Sequence, residues 1–80
     1  MSRYEATFEI DSRSDAEAAH RLLRAAYDTI REESRSVREG TDSGEALLDA
    51  FQRLRDAADE PAPGKLTVVY EVDEEAGFEA

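Results

Sequence analysis

The chain has 80 residues, of which twenty are Asp or Glu and ten are Lys or Arg, so its formal net charge is −10. This length allows one small domain with a thin core, and the absence of cysteine excludes disulfides and thiolate metal sites. The charge argues against nucleic acid or an anionic membrane as a general partner, because both are polyanions. No stretch approaches the roughly 18 consecutive apolar residues of a membrane span.

The first predicted element is a strand over residues 3–10, where polar and apolar side chains alternate. A period of two with aromatic and β-branched residues is typical of a strand that buries one face. The apolar face consists of Tyr4, Ala6, Phe8 and Ile10.

A long helix is predicted to follow, beginning at a capping box formed by Ser14 and Glu17. We expect it to run to about Glu39 and to stop at Gly40, the residue type preferred just beyond a helix end. At 100° per residue one broad apolar face contains Ala19, Leu22, Leu23, Ala26, Tyr27, Ile30 and Val37.

A second helix is predicted after the turn at residues 41–45, where Asp42 and Glu45 have the spacing of another capping box. Pro61 should end this helix, because proline lacks the amide that the helix requires. The narrow apolar stripe of the helix is Leu47, Phe51, Leu54 and Ala58.

The last predicted element is a strand over residues 65–72, which again alternates between apolar and polar side chains. Residues 74–80 are interpreted as an acidic tail, so residues 1–73 form the single domain. The apolar face of this strand contains Leu66, Val68, Tyr70 and Val72. The aromatic residues Tyr4, Phe8 and Tyr70 are expected to be core rather than a base-stacking platform.

This order predicts an α+β fold of β-α-α-β type, with two antiparallel strands under a helical hairpin. A two-stranded sheet is marginal in water and leaves two unpaired edges, while so small a core needs further support. We therefore expect a homodimer that completes a four-stranded sheet. The residues predicted for association lie on the more polar sheet face: Arg3, Glu5, Thr67, Val69 and Glu71.

A stripe of five arginines is predicted on the first helix, within an arc of about 100°. These residues are Arg21, Arg24, Arg31, Arg35 and Arg38. They could hold phosphate oxygens or an acidic partner. Alternatively, they form a solvated ladder of ion pairs three or four residues apart, which is the favoured interpretation. The acidic residues beside them are Glu17, Asp28, Glu32 and Glu39.

The single histidine, His20, is predicted to pack at the edge of the apolar helix face against Tyr27. One histidine without cysteine is a poor metal site, and no nucleophile with an orienting carboxylate can be recognised beside it. We therefore expect no catalytic residue, no metal and no cofactor. A small enzyme whose site forms around His20 in a dimer stays open as an alternative.

The acid-rich composition, with nine Arg to one Lys, resembles small proteins of halophilic archaea, many of them in families without assigned function. Such proteins live in molar salt, where the Debye length of about 3 Å removes most charge repulsion. Residues 3–26 also resemble the opening of the small dimerising subunit of the archaeal KEOPS tRNA-modification complex. That family continues with further strands after its first helix, whereas a second helix is predicted here, and no functional residue is carried over.

These observations predict a non-enzymatic protein-interaction module, acting as a homodimer or as a small subunit of an assembly adapted to high salt. The alternative is an RNA- or phosphate-contacting accessory protein that uses the arginine stripe. Since the chain begins without the apolar segment of a signal peptide, a cytoplasmic location without a membrane partner is expected. No small-molecule substrate is evident.

Overall fold

A computed structural model describes residues 1–78 of the chain. Five elements follow one another: β1 (Ser2–Ile10), α1 (Arg13–Glu33), α2 (Arg35–Arg38), α3 (Asp42–Ala58) and β2 (Gly64–Val72). The two strands pair in antiparallel orientation and the helices pack on their sheet, which confirms the predicted α+β class. The short helix α2 is an addition to the predicted order.

The cap of helix α1 lies two residues before the predicted one. Ser12, not Ser14, is the cap: its hydroxyl accepts from the Asp15 amide at 3.2 Å. The Asp15 carboxylate in turn accepts from the Asp11 amide at 3.1 Å. The predicted Ser14–Glu17 box is therefore wrong, because the helix begins earlier and Ser12 caps the amide that is free at this start.

The predicted continuation of the first helix to Glu39 is also wrong. Ser34 has extended backbone angles, φ −72° and ψ 124°, and it separates α1 from α2. Serine competes with helical hydrogen bonding through its own hydroxyl, and the Ser34 and Ser36 hydroxyls lie 3.2 Å apart. Gly40 does follow the helix end as predicted, and its φ of +70° explains why glycine is needed there.

The cap of α3 is Thr41, not the predicted Asp42. Thr41 also joins the start of α3 to α2. The Thr41 hydroxyl accepts from the Gly44 amide at 3.0 Å and donates to the Ser36 carbonyl at 3.0 Å. Gly44 is buried at this contact. The break at Ser34 thus positions a backbone carbonyl that α3 uses.

Substituting Gly44 tests this close approach. A Cβ there would collide with the Ser36 carbonyl and lie 2.8 Å from the Val37 amide nitrogen. Because backbone must move, we expect Gly44→Ala to lower the free energy of unfolding by about 1–3 kcal/mol in a urea titration. Gly64→Ala is the control, since a Cβ at Gly64 meets nothing within 4 Å. Equal effects of the two substitutions would contradict the contact.

The core lies mainly between α1 and α3 and is small. Only three apolar residues of the described chain are buried: Ala16, Ala19 and Tyr27. Leu22, predicted to be on the buried face, is 51% exposed. The radius of gyration is 14.7 Å, compared with about 12 Å for a compact domain of this length. The isolated chain is therefore an open structure.

Candidate interaction surface

The sheet presents one face without any charged side chain. The register places Tyr4 opposite Tyr70, Ala6 opposite Val68, and Phe8 opposite Leu66. Because side chains alternate along a strand, these six residues lie on one face. We call them, with their neighbours at the strand ends, the apolar sheet face; these neighbours are Ser2, Ile10, Gly64 and Val72.

Much of the apolar sheet face is open to solvent. The exposed fractions are 61% for Tyr4, 67% for Tyr70, 50% for Val68 and 40% for Phe8. The expectation that these aromatic residues form the core is therefore wrong for the single chain. A contiguous apolar surface of this kind is characteristic of an interaction site.

The helical hairpin covers only one end of this face. Around Ile10 and Leu66, the sheet faces Leu23 of α1 and Leu54 of α3 across a small cavity that these residues line. Further along, Leu22 of α1 lies across an open groove from Phe8 and Val68. The sequence pattern identifies the apolar side of each element, but it does not indicate how far the hairpin extends over the sheet.

The five residues predicted for association lie on the opposite face of the sheet. Arg3 is paired across the strands with Glu71, and Glu5 with Val69, which is 40% exposed. The Arg3 guanidinium lies 3.2 Å from the Glu5 carboxylate, and the Thr67 hydroxyl lies 3.1 Å from that of Thr7. The structure brings all five together as a second, charged and exposed sheet face.

The predicted arginine stripe is interrupted by the break at Ser34. Arg21, Arg24 and Arg31 lie on α1, whereas Arg35 and Arg38 lie on α2, and all five side chains are exposed. Two of the predicted pairs form: Arg35 Nε lies 2.9 Å from a Glu39 oxygen, and Arg31 lies 3.8 Å from Asp28. Arg31 also lies 3.8 Å from Glu32. The stripe is thus partly a ladder of local ion pairs.

His20 links α1 to the end of α3, a partner that the sequence did not indicate. Its Nε2 lies 2.7 Å from an Asp59 carboxylate oxygen. The Tyr27 ring has two guanidinium groups over it, with the guanidinium carbon 4.2 Å from the ring centroid in Arg55 and 5.8 Å in Arg31. A small polar groove is lined by His20, Arg24, Arg55 and Asp59. The Asp59 carboxylate neutralises part of the positive charge in this groove.

Over residues 1–78, no group of three or more metal-binding side chains is placed to hold an ion. The same residues contain no helix with both the length and the apolar character needed to cross a membrane.

Glu74 bonds to the Ser2 hydroxyl and approaches the N-terminal amine at 4.0 Å. Phe78 is fully exposed and does not return to the core. Residues 79 and 80 of the predicted tail lie outside the described residues.

Searches against protein-family models, curated proteins and solved structures found no match to the chain.

Proposed function

We propose that the chain is a non-enzymatic protein-interaction module that works as a homodimer or as a small subunit of a larger assembly. The observation that carries this proposal is the exposed apolar sheet face, with Tyr4 and Tyr70 at 61% and 67% exposure. Three buried apolar side chains form a weak core, and small cores rarely supply more than about 3–5 kcal/mol. Covering the sheet would add the missing burial.

The composition supports a setting of high salt. With 20 acidic and 10 basic residues, two copies repel one another strongly unless salt screens them. We therefore propose a cytoplasm of molar ionic strength as the setting of the dimer, a proposal that the compositional resemblance to small halophilic proteins supports. A dimer brings four strands together, either edge to edge as one sheet or face to face as two.

The proposal is tested by the absolute mass of the purified chain in molar KCl, with circular dichroism on the same sample. We expect a folded species of 17.8 kDa, twice the 8.9 kDa of one chain. An unfolded or aggregating chain would favour the obligate subunit over the homodimer. A folded monomer at all concentrations would contradict both forms of the proposal, since the apolar sheet face would then be stable in water.

A further inference from the structure

We propose that a second copy of this chain lies on the apolar sheet face, so that the two sheets of the homodimer meet face to face. This inference rests on the proposed function and specifies its contact surface. The residues at the centre of the contact are Tyr4, Phe8, Val68 and Tyr70, with Leu22 on the flanking helix. An edge-joined sheet would leave the same residues in water.

The exposed area of the chain has the size that such a contact requires. A folded monomer of 8.9 kDa is expected to expose about 4,800 Å², whereas this chain exposes 6500 Å². The excess is about 1,700 Å² and includes the exposed segment after β2 with Phe78; half of the excess would match the roughly 800 Å² that each partner contributes to a standard interface. The full excess on both copies would fall within the range of obligate homodimers, about 2,000–5,000 Å² in total.

The charge pattern favours a second copy over a different protein. In a symmetric dimer the same patch meets itself, so any carboxylate near the centre would approach its own copy. The apolar sheet face has no Asp, Glu, Lys or Arg, whereas Arg3, Glu5, Glu9, Lys65 and Glu71 are all on the opposite face. A foreign partner selected by a chain of net charge −10 would be expected to use charge complementarity, and this face offers none.

The shape of the uncovered region also suits a sheet. One open groove is lined by Leu22 of α1 together with Ala6, Phe8 and Val68 of the sheet. Apolar sheet faces pack about 10 Å apart with interdigitating side chains. The sheet of a second copy can therefore contact both the apolar sheet face and the Leu22 side of α1, and the reciprocal contact forms by symmetry.

Two neighbouring valines provide a matched test, because the chain has no cysteine of its own. Val68 and Val69 are 50% and 40% exposed in the single chain but lie on opposite sheet faces. The variants Val68→Cys and Val69→Cys are each alkylated with N-ethylmaleimide, a neutral reagent, in molar KCl. Each rate is divided by the rate in denaturant, and the mass and circular dichroism of each variant are recorded.

In the dimer, we expect the thiol introduced by Val68→Cys to react at least about 10-fold more slowly than that of Val69→Cys. The thiol at position 68 would be buried in the contact and could react only when the contact opens. Glu5 and Glu71 lie beside position 69, and their negative charge disfavours the thiolate at this control site. The control therefore reacts more slowly than an isolated thiol, which reduces the measured ratio of the two rates. A folded dimer with equal rates would overturn the face-to-face contact and leave the homodimer standing. A monomeric, unfolded or aggregated chain would overturn the contact as well as the homodimer.

Discussion

Replacing Tyr27 by alanine is expected to unfold the chain in conditions where the natural sequence is folded. Tyr27 is the largest buried side chain of the described residues, at 8% exposure. Removing a buried aromatic ring costs about 3–5 kcal/mol, which equals the stability that a small core supplies. Arg55 would lose the ring on which its guanidinium stacks at 4.2 Å. Urea titration in molar KCl, followed by circular dichroism, measures the effect.

The matched control is Tyr27→Phe, which retains the ring and the stacking of Arg55 on it. We expect this variant to unfold within about 1 kcal/mol of the natural chain, since its volume is nearly conserved. If Tyr27→Ala were as stable as Tyr27→Phe, the ring would not be the centre of the core. The contact between α1 and α3 would then need another explanation.

The local elements could be predicted from the sequence because they depend on nearby residues. Alternation at residues 3–10 and 65–72 indicated both strands, and each strand extends one residue further in the structure. Gly40 indicated a helix end because glycine is preferred there, and in the structure its φ is +70°, a conformation that suits glycine. Pro61 lies just beyond α3, as proline chemistry predicts.

The errors arose where distant residues decide the outcome. Several residues compete as caps within a short segment, and Thr41 prevails over Asp42 because its hydroxyl also reaches the Ser36 carbonyl. That contact depends on the break at Ser34 and on the absence of a side chain at Gly44. The partner of His20, Asp59, lies just beyond the end of α3. The helical periodicity of the apolar residues does not indicate the contact of Thr41 with Ser36 or that of His20 with Asp59.

The apolar sheet face shows the same limit for the candidate site. Alternation identified Tyr4 and Tyr70 as apolar-face residues, and the register confirms that they are cross-strand partners. The core interpretation assumed that the helical hairpin covers them, but the hairpin faces the sheet near Ile10 and Leu66 instead, across a small cavity. Ala16 and Ala19, the buried small residues of α1, are among the residues that line this cavity, and such short side chains add little apolar area over the sheet.

Lowering the salt concentration is expected to unfold the chain. Salt has two opposing effects on stability, on the ion pairs and on the repulsion between like charges, and the two differ in size. Salt weakens the ion pairs, but each exposed pair contributes only about 0–1 kcal/mol. Most of those pairs are local, such as Arg53 with Asp49 and Arg35 with Glu39. Salt also screens the repulsion of a net charge of −10. At 0.01 M the Debye length of about 30 Å exceeds the 14.7 Å radius of gyration.

Repulsion should therefore dominate, and the helical circular dichroism signal present in molar KCl should be lost at millimolar KCl and return when salt is restored. Replacing Glu17, Glu60 and Glu75 together by glutamine changes the net charge from −10 to −7. These carboxylates form no ion pair within residues 1–78, so the triple variant should fold at a lower salt concentration. The same variant should also dimerise at lower salt, since each copy contributes its full charge to the pair. An unchanged spectrum between molar and millimolar KCl would mean that apolar burial alone outweighs the repulsion.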